Sequence, residues 1–251
     1  MPAPTHAQRL AAREMPAQRL WMHHTWRDLL FVHWRCEPGV IQQTLPPDLT
    51  VDTFDGAAWV GIVPFRMCDI RPIGCPPLPL VSNFLELNVR TYAYDRTGRP
   101  GVWFYSLDAN SWPAVLGARA TYHLPYHWAR MSFARDAASG RIRYGSHRRH
   151  SAADVATHFE YTHHGPTRAA HDPASLDFFL IERYDLFAVR NNVLYSGRVH
   201  HAPYEKSAAQ LMCWDMHMLD LNRLPIPTRP PDHVAYSPGV TVQVFGLHPV
   251  G

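Results

Sequence analysis

The residue types best suited to chemistry in this 251-residue chain are concentrated between Leu107 and Met131. The segment has the sequence LDANSWPAVLGARATYHLPYHWARM, in which polar side chains interrupt a run rich in Trp, Tyr, Leu, Val and Ala. Those polar residues are Asp108, Asn110, Arg119, His123, Tyr126 and His127. Sparse polar groups in an apolar wall are typical of a small-molecule pocket. We therefore expect this segment to contribute to a ligand or substrate site.

Glu86 is a second candidate, because it lies among apolar residues in the segment NFLELNV. Strand alternation would put Phe84, Glu86 and Asn88 on one face of the sheet. If that face points inward, desolvation would favour the neutral carboxyl group and make Glu86 a general acid or base. A glutamate that faces solvent is the alternative.

Arg27 and Asp108 could bind a substrate. The guanidinium of Arg27 stays charged in an apolar pocket and could hold a carboxylate or enolate through two hydrogen bonds. An ion pair of Arg27 with Asp28, or with a glutamate at the barrel mouth, is the alternative. Asp108, with Asn110 and Ser111, lies between a strand and Pro113, where it could be a turn cap or a polar group at a pocket rim.

Other kinds of site have little support in the sequence. His123 and His127 are four residues apart, but no HExxH or CxxC motif accompanies the 17 histidines, so we predict no metal and no cofactor. A GxSxG elbow for a serine nucleophile is also missing. Lys206 is the sole lysine, so a single side chain could form a Schiff base.

Composition bounds the class of protein. Hydrophobic residues make up 46% and charged residues 18%, which predicts a folded core and not disorder. The net charge of +3 is scattered apart from residues 141–149, so we expect no nucleic-acid partner. Four cysteines without CxxC spacing favour a cytoplasmic protein, and no apolar run is long enough to predict a membrane span or a secretory signal.

The pattern of elements predicts mainly β structure with a few short helices. We expect a flexible arm over 1–20 and a single domain over 21–251, with homo-oligomers possible at open sheet edges. Predicted strands cover 26–35, 49–54, 57–67, 83–95, 101–108, 126–135, 141–150, 158–163, 187–190, 194–200 and 240–245, many paired as hairpins. Short helices are predicted after Pro38, over Ser175–Tyr184 and at 216–221, and a Pro-rich loop over 71–81. Without βαβ alternation, the pattern favours an antiparallel barrel or sandwich.

Several motifs resemble a known family. The segment HWRCEPGVIQQTLPPDLTVD at 33–52 resembles the opening of acetoacetate decarboxylases. The segments DTFDGAAWVGIVPFRM, NFLELNVRTY and SLDANSWPAVLGARATYHLPY resemble the YqjF-like family, a branch of that superfamily, and the resemblance spans residues 26–245. It implies a closed, cone-shaped antiparallel β-barrel with its site in the interior.

The resemblance also implies a set of site residues, with one departure. Decarboxylases of this type use a Schiff-base lysine beside a second lysine, buried glutamates and an arginine near the substrate carboxylate. Arg27 matches that arginine and Glu86 matches one glutamate. The reactive segment has an arginine, a proline six residues later and then two lysines; here Tyr126 and His127 take the place of the lysines.

Because a phenol and an imidazole cannot form an iminium, we reject Schiff-base decarboxylation. Tyr126 and His127 would point to opposite faces of a strand. We favour Tyr126 as the inward residue because it takes the position of the reactive lysine. A core tyrosine with a satisfied hydroxyl is the alternative.

Two functional hypotheses follow. In the first, the protein binds a small carboxylate or carbonyl compound inside the barrel, as a lyase- or isomerase-like enzyme or a former enzyme. Glu86 and Tyr126 would then move protons, and Arg27, Arg119, His127 and Asp108 would bind the substrate. In the second, the protein is a non-catalytic module that binds or senses an apolar or aromatic ligand. Fold-level resemblance does not separate the two.

Overall fold

The computed structural model describes residues 2–78, 81–149 and 156–250, and strands dominate these ranges. The strands are β1 (Leu20–Cys36), β2 (Leu49–Val51), β3 (Ala58–Pro72), β4 (Phe84–Asp95), β5 (Pro100–Ala109), β6 (Tyr126–Arg135), β7 (Ile142–Arg148), β8 (Thr157–Ala169), β9 (Asp185–Arg190), β10 (Val193–His201), β11 (Glu205–Trp214) and β12 (His233–Pro249). The helices are α1 (His6–Ala11), α2 (Pro38–Gln42), α3 (Trp112–Thr121), α4 (Leu176–Ile181) and α5 (His217–Leu221).

The described strands form one sheet whose pairings run in a circuit. From β12 the pairings lead through β1, β3, β4, β5, β9 and β10 and return to β12. A second branch leads from β5 through β6, β7, β8 and β11 to β12. Strands of both branches can therefore surround a common hollow.

The expectation of purely antiparallel pairing is wrong, because β5 runs parallel to both β6 and β9. The helix α3 carries the chain from the end of β5 back to the start of β6, so that β5–α3–β6 forms a strand–helix–strand crossover. Ser111 begins this helix by accepting a hydrogen bond from the backbone N–H of Ala114. The sequence patterns predicted neither α3 nor β11.

Several local predictions are confirmed. The hairpins β4–β5, β6–β7 and β9–β10 form as expected, and Ser175 is the N-cap of α4. The hairpin expected at 49–54 and 57–67 is wrong: β2 pairs with β4, and Phe54 and Ala57 share only an isolated bridge. Asp52 explains the difference, since its backbone N–H bonds the carbonyl of Tyr92 on β4 and directs the chain there.

The N-terminal arm, for which the sequence predicts a flexible segment, contains a short helix that packs against the domain. Thr5 and Gln8 form a reciprocal cap at the start of α1. From this helix, Arg9 donates two hydrogen bonds to the buried carboxylate of Asp52, at 2.7 and 2.6 Å. Ala12 is buried as well. The arm therefore contributes a charged group to the interior.

Strands β3 and β4 are buried on both faces and separate two apolar clusters. On β3, Val63 and Phe65 belong to the larger cluster, whereas Val60 and Ile62 belong to the second. Such strands need apolar residues at nearly every position. No helix in the described part of the chain is long and apolar enough to cross a membrane.

Candidate functional site

A cavity of about 340 Å³ lies within the larger apolar cluster. This volume is at the small end of the range of roughly 300–1,000 Å³ that is usual for ligand pockets. Its wall is mainly apolar and includes the aromatic rings of Trp26, Phe65, Phe84, Phe104, Tyr122 and Tyr204. On the α3 side, Pro113, Gly117 and Thr121 line the cavity and are also exposed to solvent. The cavity therefore lies closest to solvent at α3.

One face of β4 supplies a polar stripe to this apolar wall. Glu86, Asn88 and Arg90 follow Phe84 at every second position, and all four line the cavity. Leu87 and Val89, on the opposite face, belong to the second apolar cluster. The same strand therefore presents an acid, an amide and a guanidinium in order along the hollow.

Glu86 and Tyr126 form a hydrogen-bonded pair in the cavity wall. The Tyr126 hydroxyl donates to Oε2 of Glu86 at 2.7 Å, and Glu86 is only 2% exposed. Burial raises the pKa of Glu86 to about 8, although hydrogen bonds from Tyr126 and Asn88 act in the opposite direction. Burial and the neighbouring Glu86 raise the pKa of Tyr126 well above its usual value. At neutral pH both groups therefore keep their protons and can act as hydrogen-bond donors.

No cation compensates Glu86 among the residues that the structure describes. The recorded ion pairs within 4.0 Å involve other carboxylates, and the donors to Glu86 are neutral. A buried carboxylate without a cation is costly, so the carboxyl group is stable here in its protonated form. This is the arrangement of a carboxylic acid that donates a proton at neutral pH.

Arg119 donates to the backbone of Tyr126 and is not among the residues that line the cavity, so its substrate-binding role stays a prediction. Its Nε donates to the backbone carbonyl of Tyr126 at 2.7 Å, and its side chain lies on the exposed surface of α3. Arg119 is therefore a positioning residue for the first residue of β6.

His127 and Asp108 also lie outside the cavity wall. They are partners in the parallel pairing of β5 and β6, on the face opposite Leu107 and Tyr126. Asp108 is fully buried, where it accepts hydrogen bonds from Arg148 Nε at 2.8 Å and Ser146 Oγ at 3.1 Å. Burial and nearby arginines lower the pKa of His127 to about 4. Both residues belong to a separate polar cluster, and neither is in a position to bind a ligand in this cavity.

Arg27 is exposed and is not among the residues that line the cavity, so its contact with a substrate stays a prediction. Its neighbours Trp26 and Leu29 both line the cavity, because a bulge at Asp28 shifts the alternation of β1. Asp28 has a φ of 54° and pairs with Arg66 and Arg135. In the described ranges Asp28 makes no ion pair with Arg27.

The sequence patterns missed Arg90. Its side chain is 9% exposed, and its Nη2 donates to the Leu180 carbonyl at 3.0 Å. Its Nε has no hydrogen-bond partner, and no carboxylate within 4.0 Å pairs with it in the described part of the chain. Arg90 is two residues after Asn88 on β4, so continuing the period of two along the strand would have placed it on the same face.

His24 is a second wall residue that the sequence did not single out. Both ring nitrogens are buried without a hydrogen-bond partner among the described residues. Burial, with a smaller effect of His23, lowers its pKa to about 4, so the ring is neutral at pH 7. A neutral imidazole can accept a proton or a hydrogen bond from a ligand.

Lys206 pairs with Asp177 through its Nζ and is not part of the cavity wall. In the described ranges no group of three His, Cys, Asp or Glu side chains is arranged to hold a metal ion. The wall therefore offers carboxyl, phenol, imidazole and guanidinium groups to a ligand, but no lysine amine.

Comparison with solved structures defines the class. The fold is similar to that of an acetoacetate decarboxylase from Legionella pneumophila, with a TM-score of 0.65 and 14% identity over 100% of this chain and 92% of that one. It is also similar to the enduracididine biosynthesis enzyme MppR complexed with pyruvate, with a TM-score of 0.61 and 15% identity over 94% and 92% of the two chains. The protein thus has an acetoacetate decarboxylase-like fold.

The sequence assigns the family. Residues 23–241 match the family model DUF2071, described as an uncharacterized conserved protein, and the chain belongs to this family. It is 38% identical over 187 residues to the protein YqjF of Bacillus subtilis (strain 168), covering 74% of this chain and 75% of that protein. The resemblance seen in the motifs is therefore confirmed.

Proposed function

We propose that this protein binds a small carbonyl compound or carboxylate in the cavity and moves a proton on it with Glu86 and Tyr126, without forming a Schiff base. The observation that carries the proposal is the buried Glu86–Tyr126 pair, which borders a hollow and has no compensating cation among the described residues. The circuit of strand pairings supports a closed, cone-like barrel around this hollow.

The pair suits an acid-catalysed keto–enol isomerisation. A carbonyl oxygen beside the pair would accept a hydrogen bond from the protonated carboxyl of Glu86, whose Oε2 accepts a hydrogen bond from the Tyr126 hydroxyl. As Glu86 passes its proton to that oxygen, a base takes a proton from the adjacent carbon, and an enol results. His24 is the neutral imidazole in the same wall and would be the acceptor of that proton, although burial makes it a weaker base than a free imidazole. Donors in a dry site stabilise developing charge more strongly than donors in water.

Schiff-base chemistry has no support in the cavity. The sole lysine, Lys206, is ion-paired with Asp177 and is not among the wall residues. Treatment with borohydride and a β-keto acid should leave no covalent adduct on the protein, as measured by mass spectrometry. An adduct on Lys206 would contradict this part of the proposal.

Exchange of α-hydrogens with solvent deuterium tests the proton transfer directly. Small ketones and keto acids are incubated with the protein in D₂O and followed by NMR. Glu86→Gln should slow the exchange by about 100-fold or more, the usual contribution of a general acid. The exposed Glu205 provides the control, and Glu205→Gln should exchange at the wild-type rate. Equal rates for wild type and Glu86→Gln would overturn the proposed role.

The aromatic and aliphatic wall supports one alternative, a non-catalytic module for an apolar or aromatic ligand. Such a ligand would raise the melting temperature of wild type and Glu86→Gln equally, and no exchange would be observed with any ketone. A thermal-shift screen of keto acids, small phenols and quinones against both proteins separates the two functions.

A further inference from the structure

We infer that the Arg90 end of the cavity is a carboxylate-binding subsite, and that the ligand is an elongated keto acid with its carboxylate far from its carbonyl group. The carbonyl half of this inference rests on the proposed function. The carboxylate half depends only on the guanidinium groups of Arg90 and Arg183, and it can be tested separately.

Arg90 has no counter-charge among the residues that the structure describes. It lines the cavity, it is 9% exposed, and no carboxylate within 4.0 Å pairs with it in the described part of the chain. Its Cζ lies 5.6 Å from the Phe31 ring centroid and 5.5 Å from that of Tyr92, and these contacts do not neutralise it. A buried charge without a partner is costly, so an anion in the hollow would be strongly stabilised.

Arg183 adds to the excess of positive charge at the same end. It lines the cavity, and its Cζ lies 4.9 Å from the ring centroid of Tyr92, which Arg90 also contacts. Arg183 and Arg9 share a single carboxylate, that of Asp52. Nη2 of Arg183 is buried and has no hydrogen-bond partner among the described residues.

The other carboxyl groups near this end have cations of their own. Asp185 lines the cavity and pairs with Arg198 at 3.5 Å, and burial raises its pKa to about 6. Glu182 pairs with Arg13 at 3.1 Å. Neither carboxyl group is within ion-pair distance of Arg90. The anion that this end lacks is therefore best supplied by a ligand, and a planar guanidinium binds a carboxylate through two parallel hydrogen bonds.

The spacing along β4 sets the length of the ligand. Glu86 and Arg90 are four residues apart on one strand, which corresponds to about 13 Å between their Cα atoms. The guanidinium of Arg90 contacts the ring of Tyr92 and so points away from Glu86. In a β-keto acid one carbon separates the two functional groups, which is too short to reach both ends. We therefore infer a ligand whose carbonyl and carboxylate are separated by several carbons or by a ring.

Calorimetric titration with heptanoate and heptanamide tests the carboxylate subsite without any carbonyl chemistry. Wild type should bind heptanoate about tenfold or more tightly than heptanamide, the gain expected of a charge-assisted hydrogen bond. Arg90→Gln should abolish the preference, and Arg90→Lys should keep part of it. Arg130→Gln, which removes an exposed charge outside the cavity, should preserve it fully.

Equal binding of heptanoate and heptanamide to wild type would overturn the subsite, even if the Arg90 variants fail to fold. An undiminished preference for heptanoate in folded Arg90→Gln would overturn it as well.

Ligand length is tested by comparing 6-oxoheptanoate with acetoacetate. The longer acid should bind at least about tenfold more tightly. If acetoacetate binds equally well, the inference of an elongated ligand is wrong. If wild type shows no deuterium exchange but still binds heptanoate more tightly than heptanamide, the proposed function is wrong and the carboxylate subsite stands.

Discussion

Asp52 and Glu86 are both buried carboxyl groups in the same domain, at 1% and 2% exposure, but their surroundings differ. Burial would raise the pKa of Asp52, yet Arg183 and Arg9 outweigh it and lower that pKa. Glu86 has neutral donors and borders a cavity, so burial prevails and raises its pKa. Burial alone thus does not decide the protonation state of a carboxyl group. The presence or absence of neighbouring cations does.

The largest expected effect is on the Asp52 cluster. Asp52→Asn would leave the buried guanidiniums of Arg9 and Arg183 without their shared carboxylate, and should cost about 3–5 kcal/mol of unfolding free energy. Urea denaturation at neutral pH measures the loss, and Asp48→Asn, at an exposed site, serves as the control. A loss smaller than about 1 kcal/mol would remove the contrast between the two carboxyl groups.

The pH dependence of stability should have opposite signs at the two sites. The folded pKa of Glu86, about 8, exceeds the unfolded value of 4.5, so its contribution is complete below pH 4.5 and is lost as pH rises to about 8. Asp52 has a lowered folded pKa, so its contribution is present above 3.8 and is lost as pH falls through the folded pKa.

Glu86→Gln isolates the contribution of Glu86 to the pH dependence of stability. The variant should gain stability relative to wild type between about pH 5 and about pH 9, by up to a few kcal/mol, since each pKa unit corresponds to about 1.4 kcal/mol. Chemical denaturation of the two proteins across this range measures the difference. A difference that does not change with pH would mean that Glu86 is ionised throughout, as Asp52 is.

Tyr126→Phe should have the smallest effect on stability. It removes one hydrogen bond to Glu86 and should cost about 0.5–1.5 kcal/mol, while ligand binding or turnover weakens markedly. Tyr122→Phe is a matched control, because Tyr122 also lines the cavity but donates to the Phe245 carbonyl at 3.1 Å. A large loss of stability with unchanged ligand binding would make Tyr126 a core-packing residue.

Local alternation accounts for what the sequence could predict of the site. The period of two on β4 put Glu86 and Asn88 on one face, and the same rule separated Tyr126 from His127; both arrangements agree with the geometry. Alternation with Trp26 already turns Arg27 away from the cavity, and the bulge at Asp28 changes the phase of β1 beyond it, so that Leu29 lines the cavity. This bulge includes Asp28, a residue with positive φ, which the apolar pattern does not reveal.

Long-range pairing explains the remaining errors. Asp52 meets Arg9 and Arg183, which are 43 and 131 residues away in the chain. No local motif links these positions, so the docking of the N-terminal arm could not be predicted. Arg90 was overlooked for a different reason. It stands out because no carboxylate pairs with it in the described part of the chain, and this is visible only in the folded cavity.

The pKa of Glu86 is the most direct test of the central claim that an uncompensated carboxylic acid borders the cavity. Infrared difference spectra between wild type and Glu86→Gln isolate its carboxylic C=O band, which can be followed across a pH titration. The band should persist at neutral pH and disappear with a midpoint near 8. A midpoint near the ordinary value of 4.5 would contradict the account.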